Sequence, residues 1–221
     1  MAASLLTGLT ILMIGDSHLA TPDYLIGTLQ DSLVQQGAKV HTLGICGTNA
    51  GDWLKVTPGT CGGAERRNGD KAVVLGGKAA TQPISELIAT DKPDLVLIVM
   101  GDTMASYTNP SFPKTWVWQQ TTSLTKAIAA TKTHCAWVGP TWGTEGGKYG
   151  KTFERVKLMS GFLASNVAPC SYIDSLSFAK PGQWATIDGQ HLTGPGYKSW
   201  SSAIVDALNK LPADKLKGAA Q

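Results

Sequence analysis

Two short stretches of this 221-residue chain carry residue types that can do chemistry together. Near the amino terminus the apolar run Ile11-Leu12-Met13-Ile14 stops at Gly15-Asp16-Ser17-His18, and near the carboxyl terminus stands Asp188-Gly189-Gln190-His191. A serine hydroxyl attacks only when a base takes its proton, and an imidazole base needs an acid to hold its tautomer and orientation. Asp188 and His191 are spaced so that one loop can carry both. Ser17 is then the candidate nucleophile. Alone, Gly-Asp-Ser is a weak signal, because turns and helix N-caps use the same residues for hydrogen bonding.

The elements that must position these residues can be read from periodicity. The run before Ser17 reads as a buried parallel strand, which delivers the serine to the carboxyl edge of a sheet, where open α/β folds place ligands. Pro22 opens a helix whose Leu25, Leu29 and Leu33 recur on one face until Gly37. Lys39 to Leu43 reads as a second strand, ending in the glycine-rich loop Gly44 to Asp52. From Trp53 to Thr81 periodicity is lost, apart from an apolar burst at Ala72 to Leu75, and the segment reads as a long loop. A helix around Ile84 to Ala89 precedes a strand at Leu95 to Met100 that ends in Gly101-Asp102-Thr103. The aromatic-rich segment Tyr107 to Trp118 reads as loop and leads to a helix through Leu124 and Ile128. Cys135 to Gly139 is a fourth strand, Phe153 to Ala164 a helix, Ser171 to Asp174 a fifth strand and Tyr197 to Leu208 a closing helix.

This alternation predicts one α/β domain over residues 1–221, flavodoxin-like, with three α/β/α layers and a mainly five-stranded parallel sheet. All loops after parallel strands share one edge, so Ser17, Gly47, Thr103 and the loop of Asp188 and His191 can converge.

Composition agrees with a large core: 43% of residues are apolar and 16% charged. The net charge of +3 is scattered, with Arg66-Arg67 its tightest pair, so the basic footprint of a nucleic-acid binder is missing. No segment reaches the ~20 apolar residues of a membrane span. Met1 to Gly8 is apolar but lacks a basic n-region and is not a complete signal peptide. The four cysteines, Cys46, Cys61, Cys135 and Cys170, form no CxxC pair and have no histidine at zinc spacing, which argues against a metal site. Two bridges, Cys135 with Cys170 and Cys46 with Cys61, stand against four buried thiols, and the bridges would imply an oxidising compartment.

Other polar residues have plainer readings. His18 caps or packs at a helix start, while His41 lies within a strand and His134 just before one. Asp16 supports its turn, Asp52 and Asp102 organise loops, and Asp174, ending a strand, is a weaker rival to Asp188.

The order of these blocks resembles the SGNH/GDSL hydrolase superfamily, whose members carry Gly-Asp-Ser, a glycine block, Gly-x-Asn and Asp-x-x-His. By that resemblance Ser17 is the nucleophile, His191 the general base and Asp188 its orienting acid. The backbone N–H groups of Ser17 and Gly47 would donate to the oxyanion, and Gly44-Ile45-Cys46-Gly47 stands where the family has Gly-x-Ser-Gly. The third block departs from the pattern. It reads Gly101-Asp102-Thr103, without the carboxamide, and the expected substitutes are the Thr103 hydroxyl or Asn109 from the following loop.

The resemblance implies two-step acyl transfer without metal or cofactor. Five of the seven tryptophans, Trp53, Trp116, Trp118, Trp142 and Trp184, fall in or near edge loops, where aromatics can stack on sugars. With the altered third block, they are similar to extracytoplasmic members that acetylate exopolysaccharides such as alginate or cellulose. The expectation is therefore an O-acetyltransferase with a polysaccharide or oligosaccharide acceptor, an acetyl donor and membrane-bound acetyl-transfer partners. It would be a periplasmic or secreted monomer whose native leader is absent from this sequence. A carbohydrate acetylesterase is the alternative, and a non-catalytic carbohydrate-binding member of the fold the second.

Overall fold

The computed structural model describes residues 4–217; residues 1–3, which begin the apolar Met1 to Gly8 stretch, lie outside them. In chain order the elements are β1 (Thr10–Gly15), α1 (Leu25–Gln35), β2 (Lys39–Ile45), β3 (Gly63–Arg67), β4 (Val73–Val74), α2 (Ile84–Asp91), β5 (Leu95–Val99), α3 (Lys114–Ala130), β6 (His134–Val138), α4 (Phe153–Asn166), β7 (Ser171–Ile173) and α5 (Gly194–Asn209). Among the described residues, no helix is long and apolar enough to cross a membrane.

The strands form one sheet in the order β4-β3-β2-β1-β5-β6-β7. The five expected strands, β2, β1, β5, β6 and β7, pair in parallel. β3 and β4 add two antiparallel strands at one edge. This corrects the reading of 53–81 as loop. β3 is Gly-Ala-Glu-Arg-Arg, polar and short, so it has neither the apolar run nor the alternation by which strands are recognised. The aromatic segment is corrected too: Trp116 and Trp118 belong to α3, which begins at Lys114.

The parallel strands are apolar throughout because both faces are covered. Ile11 and Met13 of β1 face a core built with Leu25, Leu29 and Leu33 of α1 and Trp200, Ile204 and Leu208 of α5. Leu12 and Ile14 point the other way, into a core with Leu87 of α2, Leu124 and Ile128 of α3 and Leu163 of α4. Successive strand residues thus serve opposite layers, as the two-residue period requires. Truncating a side chain such as Leu97, fully buried in the central β5, would cost about 2–5 kcal/mol.

All four cysteines are bridged, Cys46 to Cys61 and Cys135 to Cys170. Two disulfides fit an oxidising compartment. His41 of β2 gains acidic neighbours from distant segments, its ring nitrogens meeting Asp91 and Glu65.

Candidate active site

β1 runs into the carboxyl edge and must turn at once. At Gly15 a side chain would collide with the Val99 carbonyl of β5, so only glycine passes. The next residue, Asp16, caps the short turn Ser17–Leu19 by accepting from the His18 N–H at 3.2 Å. Ser17 opens that turn, almost buried at 7% exposure, with its hydroxyl toward a pocket of about 380 Å³.

His191 reaches this hydroxyl from the loop before α5. Its Nε2 lies 2.7 Å from Ser17 Oγ and its Nδ1 2.7 Å from Asp188 Oδ2. The other Asp188 oxygen accepts from the backbone N–H groups of Gln190 (3.0 Å) and His191 (2.8 Å), and the intervening Gly189 has φ +94°. The four-residue spacing therefore makes a tight turn in which the acid holds both backbone and ring of its histidine. Ser17, His191 and Asp188 stand in one hydrogen-bonded line.

Burial raises the Asp188 carboxyl, but hydrogen bonds from the His191 ring and from the His191 and Gln190 backbone outweigh it and hold the group below its ordinary value. Burial, aided by His18, lowers His191 more than Asp188 raises it. The imidazole is therefore neutral at neutral pH, the form that accepts a proton.

Gly47 borders the same pocket, with φ +81° and Thr60 so close that a side chain at 47 would strike its hydroxyl. Among the described residues, neither the Ser17 nor the Gly47 backbone N–H has a hydrogen-bond acceptor in the protein. Thr103 also lines the pocket, but its hydroxyl donates to the Thr48 carbonyl at 2.9 Å. Asn109 is not brought to the site. It is exposed, and its side-chain oxygen accepts from the Ser111 N–H at 3.0 Å. Two residues with unpartnered backbone N–H groups thus line the pocket, and the carboxamide among its lining residues is that of Gln190, not Asn109.

The altered third block has another use. Asp102 is buried and receives Lys151 Nζ at 2.9 and 3.1 Å, His18 Nε2 at 2.8 Å and the Tyr107 hydroxyl. Burial alone would raise Asp102, but Lys151 and His18 drive it well below the usual carboxylate range. Burial carries Tyr107 upward, so it stays a donor. His18, beyond capping its turn, bridges Asp102 to Tyr197, whose hydroxyl lies 2.9 Å from Nδ1. The neighbouring Asp16, fully buried with one oxygen unpartnered, is raised to about 6, chiefly by burial.

Lys151 ends a glycine-rich flap that hydrogen-bonds to the Asp188 turn through Thr144 N–H to Gly189 O and Lys148 N–H to Asp188 O, each 2.9 Å. The flap sets Tyr149 edge-on against His191, ring centres 5.6 Å apart. Sequence reasoning missed Lys151 and Tyr149, since neither belongs to a periodic segment or a spaced motif. The tryptophan expectation is corrected. Trp53 and Trp142 are buried, Trp116 and Trp118 lie on α3, and Trp184 packs on the core. The pocket aromatics are Tyr107 and Tyr149. Asp174 serves elsewhere, accepting from Ser160 at 3.0 Å and the Leu176 N–H at 3.1 Å. Asp52 organises its loop by accepting from the Asn49 N–H at 2.7 Å.

No protein-family model matches the chain. It is 45% identical over 219 residues to protein BcsX of Komagataeibacter xylinus, covering 98% of this chain and 82% of that protein. Among solved structures, a GDSL-like lipase from Bacteroides thetaiotaomicron superposes with a TM-score of 0.56 at 14% identity, covering 91% of this chain and 88% of that one. A catalytic mutant of an acetylxylan esterase from Geobacillus stearothermophilus does so at 0.56 and 17% identity, covering 94% and 96%. The fold is that of the SGNH/GDSL hydrolases.

Proposed function

The chain belongs to the BcsX family, and from that premise we propose that it is a serine-dependent acyl-transfer enzyme that moves acetyl groups on carbohydrate. The observation that carries this reading is the line Asp188–His191–Ser17 with 2.7 Å steps at the pocket floor. Ser17 Oγ attacks the ester carbonyl while His191 Nε2 takes its proton, and Asp188 stabilises the imidazolium. The Ser17 and Gly47 N–H groups hold the oxyanion. His191 then protonates the leaving alcohol and acetyl-Ser17 remains. A second hydroxyl gives its proton to His191 as its oxygen takes the acetyl group, and His191 passes that proton to the departing Ser17 Oγ, which restores the free serine.

The preferred acceptor is a sugar hydroxyl of an exopolysaccharide such as cellulose or alginate, in a periplasmic or secreted monomer supplied with acetyl by membrane-bound partners. The two disulfides support the location, and the tyrosine faces and the Ser106, Thr108, Lys148 and Gln190 side chains that line the pocket can stack on and hydrogen-bond a sugar. A hydrolase reading, with water as acceptor, is supported by the acetylxylan esterase that shares the fold.

The test is turnover of an activated acetyl ester with cello-oligosaccharide or alginate oligosaccharide present, for the protein and its Ser17→Ala variant. Ser17-dependent appearance of acetylated sugar supports transfer. Free acetate alone at every acceptor concentration makes the protein an esterase. Equal rates for both proteins would remove the enzymatic reading and leave a binding module.

A further inference from the structure

The two disulfides differ in surroundings. Cys135 and Cys170 are buried, 5% and 7% exposed, and pack within the core under α3 and α4. Cys46 and Cys61 both line the catalytic pocket, and Cys61 is exposed. Cys46 immediately precedes Gly47, which lines the pocket and whose N–H has no acceptor among the described residues. On the other strand of the same loop, Thr60, which precedes Cys61, packs its hydroxyl against the Gly47 backbone. Beyond the end of the β2–β3 pairing at Ile45 and Gly63, the segments are joined by backbone hydrogen bonds from Cys46 N–H to Gly62 O at 2.9 Å and from Thr60 N–H to Cys46 O at 3.0 Å. The peptide plane that carries the Gly47 N–H is thus held at its Cys46 carbonyl by the Thr60 N–H, and the covalent bridge ties the two segments that make this contact.

We propose that the Cys46–Cys61 bridge is a positioning element for the Gly47 oxyanion donor, and that reducing it shuts acyl transfer off while the fold persists. The inference rests on the acyl-transfer reading and adds its dependence on an oxidising environment. A dithiol reductant attacks the exposed Cys61 sulfur and releases Cys46 as thiolate; its second thiol then frees Cys61 and closes the reductant's own disulfide. Two electrons and two protons pass to the protein. Bonded sulfurs lie about 2 Å apart, whereas two thiols must part to van der Waals contact, a displacement on the order of 1.5 Å. That motion falls on the residue next to Gly47. Misplacement by about 1 Å can cost 10²-fold in rate. The buried second bridge keeps the core joined and is harder to reach.

The experiment measures acetyl-ester turnover by the whole protein before and after graded dithiothreitol. Thiol trapping with peptide mass spectrometry identifies the open bridge, near-UV circular dichroism follows the fold, and hydrogen exchange follows the peptide across 46–49. The proposal expects kcat to fall about 10- to 100-fold as Cys46 and Cys61 open, with KM within about threefold, because an oxyanion donor acts in the transition state. The near-UV spectrum should stay and exchange at 46–49 should rise. A Cys46→Ser/Cys61→Ser protein should show the same loss without reductant, whereas Cys135→Ala/Cys170→Ala should keep both its activity and its sensitivity to reductant. Turnover within twofold after opening of Cys46–Cys61, or loss only in step with unfolding, would overturn the proposal. Absence of Ser17-dependent turnover in the oxidised protein would instead defeat the acyl-transfer reading; the exchange measurement then decides whether the bridge orders Gly47.

Discussion

Replacing Lys151 with methionine probes the buried network that stands where the family pattern has its third block. Lys151 is fully buried and its Nζ touches both oxygens of Asp102, itself buried. At 2.9 Å and an effective dielectric of about 20 the attraction is roughly 6 kcal/mol. The variant also escapes the cost of burying an ammonium, so the net loss is about 3–5 kcal/mol, the usual result of orphaning one member of a buried pair. For a chain of this size that lowers Tm by about 6–20 °C. The pH dependence has a definite sign. In the parent, Asp102 sits well below 3.8, so it contributes stability above the unfolded carboxylate value, lost as pH falls through the folded one. Without Lys151, burial pushes the carboxyl up and its charge becomes a cost that protonation relieves. The deficit of Lys151→Met should therefore be largest at pH 8 and shrink toward pH 4. Adding Asp102→Asn should recover most of it. Urea unfolding of the three proteins at both pH values is the assay. A single variant within about 1 kcal/mol of the parent at pH 8, or a double variant no more stable than the single, would refute the reasoning.

Three further outcomes follow from the same site. Burial and His18 lower His191 below its ordinary 6.5, so kcat/KM should rise with pH to a half-maximum under 6.5 and be flat by pH 7.5; a midpoint above 7 would contradict the electrostatic account. Asp16, raised to about 6, is a charged burden on the fold above that pH, relieved as pH falls toward 3.8. Asp16→Asn keeps the acceptor for His18 N–H and should stabilise by about 1–3 kcal/mol at pH 8, with no gain at pH 4, in denaturant titrations. The Thr103 hydroxyl is committed to the Thr48 carbonyl, so Thr103→Val should leave kcat within about threefold and cost about 1 kcal/mol of stability; a 100-fold loss of kcat would make Thr103 an oxyanion donor after all.

The parallel sheet was legible because each of its central strands is buried on both faces and therefore written as an unbroken apolar run, Leu95 to Val99 most clearly. The added edge was not. β3 lies next to the edge, between β2 and the two-residue β4, tolerates Glu65 and Arg67, and so resembles loop in composition. At the site, Asp188 and His191 could be placed together because local hydrogen bonds within one turn fix their spacing. Asp102 and Lys151 could not, since they are 49 residues apart and meet only through the path of the flap over the sheet edge. The tryptophans misled for a related reason. Residue type tells that an indole wants burial, but only packing tells whether it buries against core or ligand, and Trp53 chose the core.

Treating the protein with an activated alkyl phosphonate, which stops at the first covalent step, tests the central claim without requiring any knowledge of the acceptor. Peptide mass spectrometry should find one adduct, on Ser17, formed at a rate that falls at least about 10³-fold in His191→Ala. An unlabelled Ser17, or equally fast labelling without His191, would contradict the account.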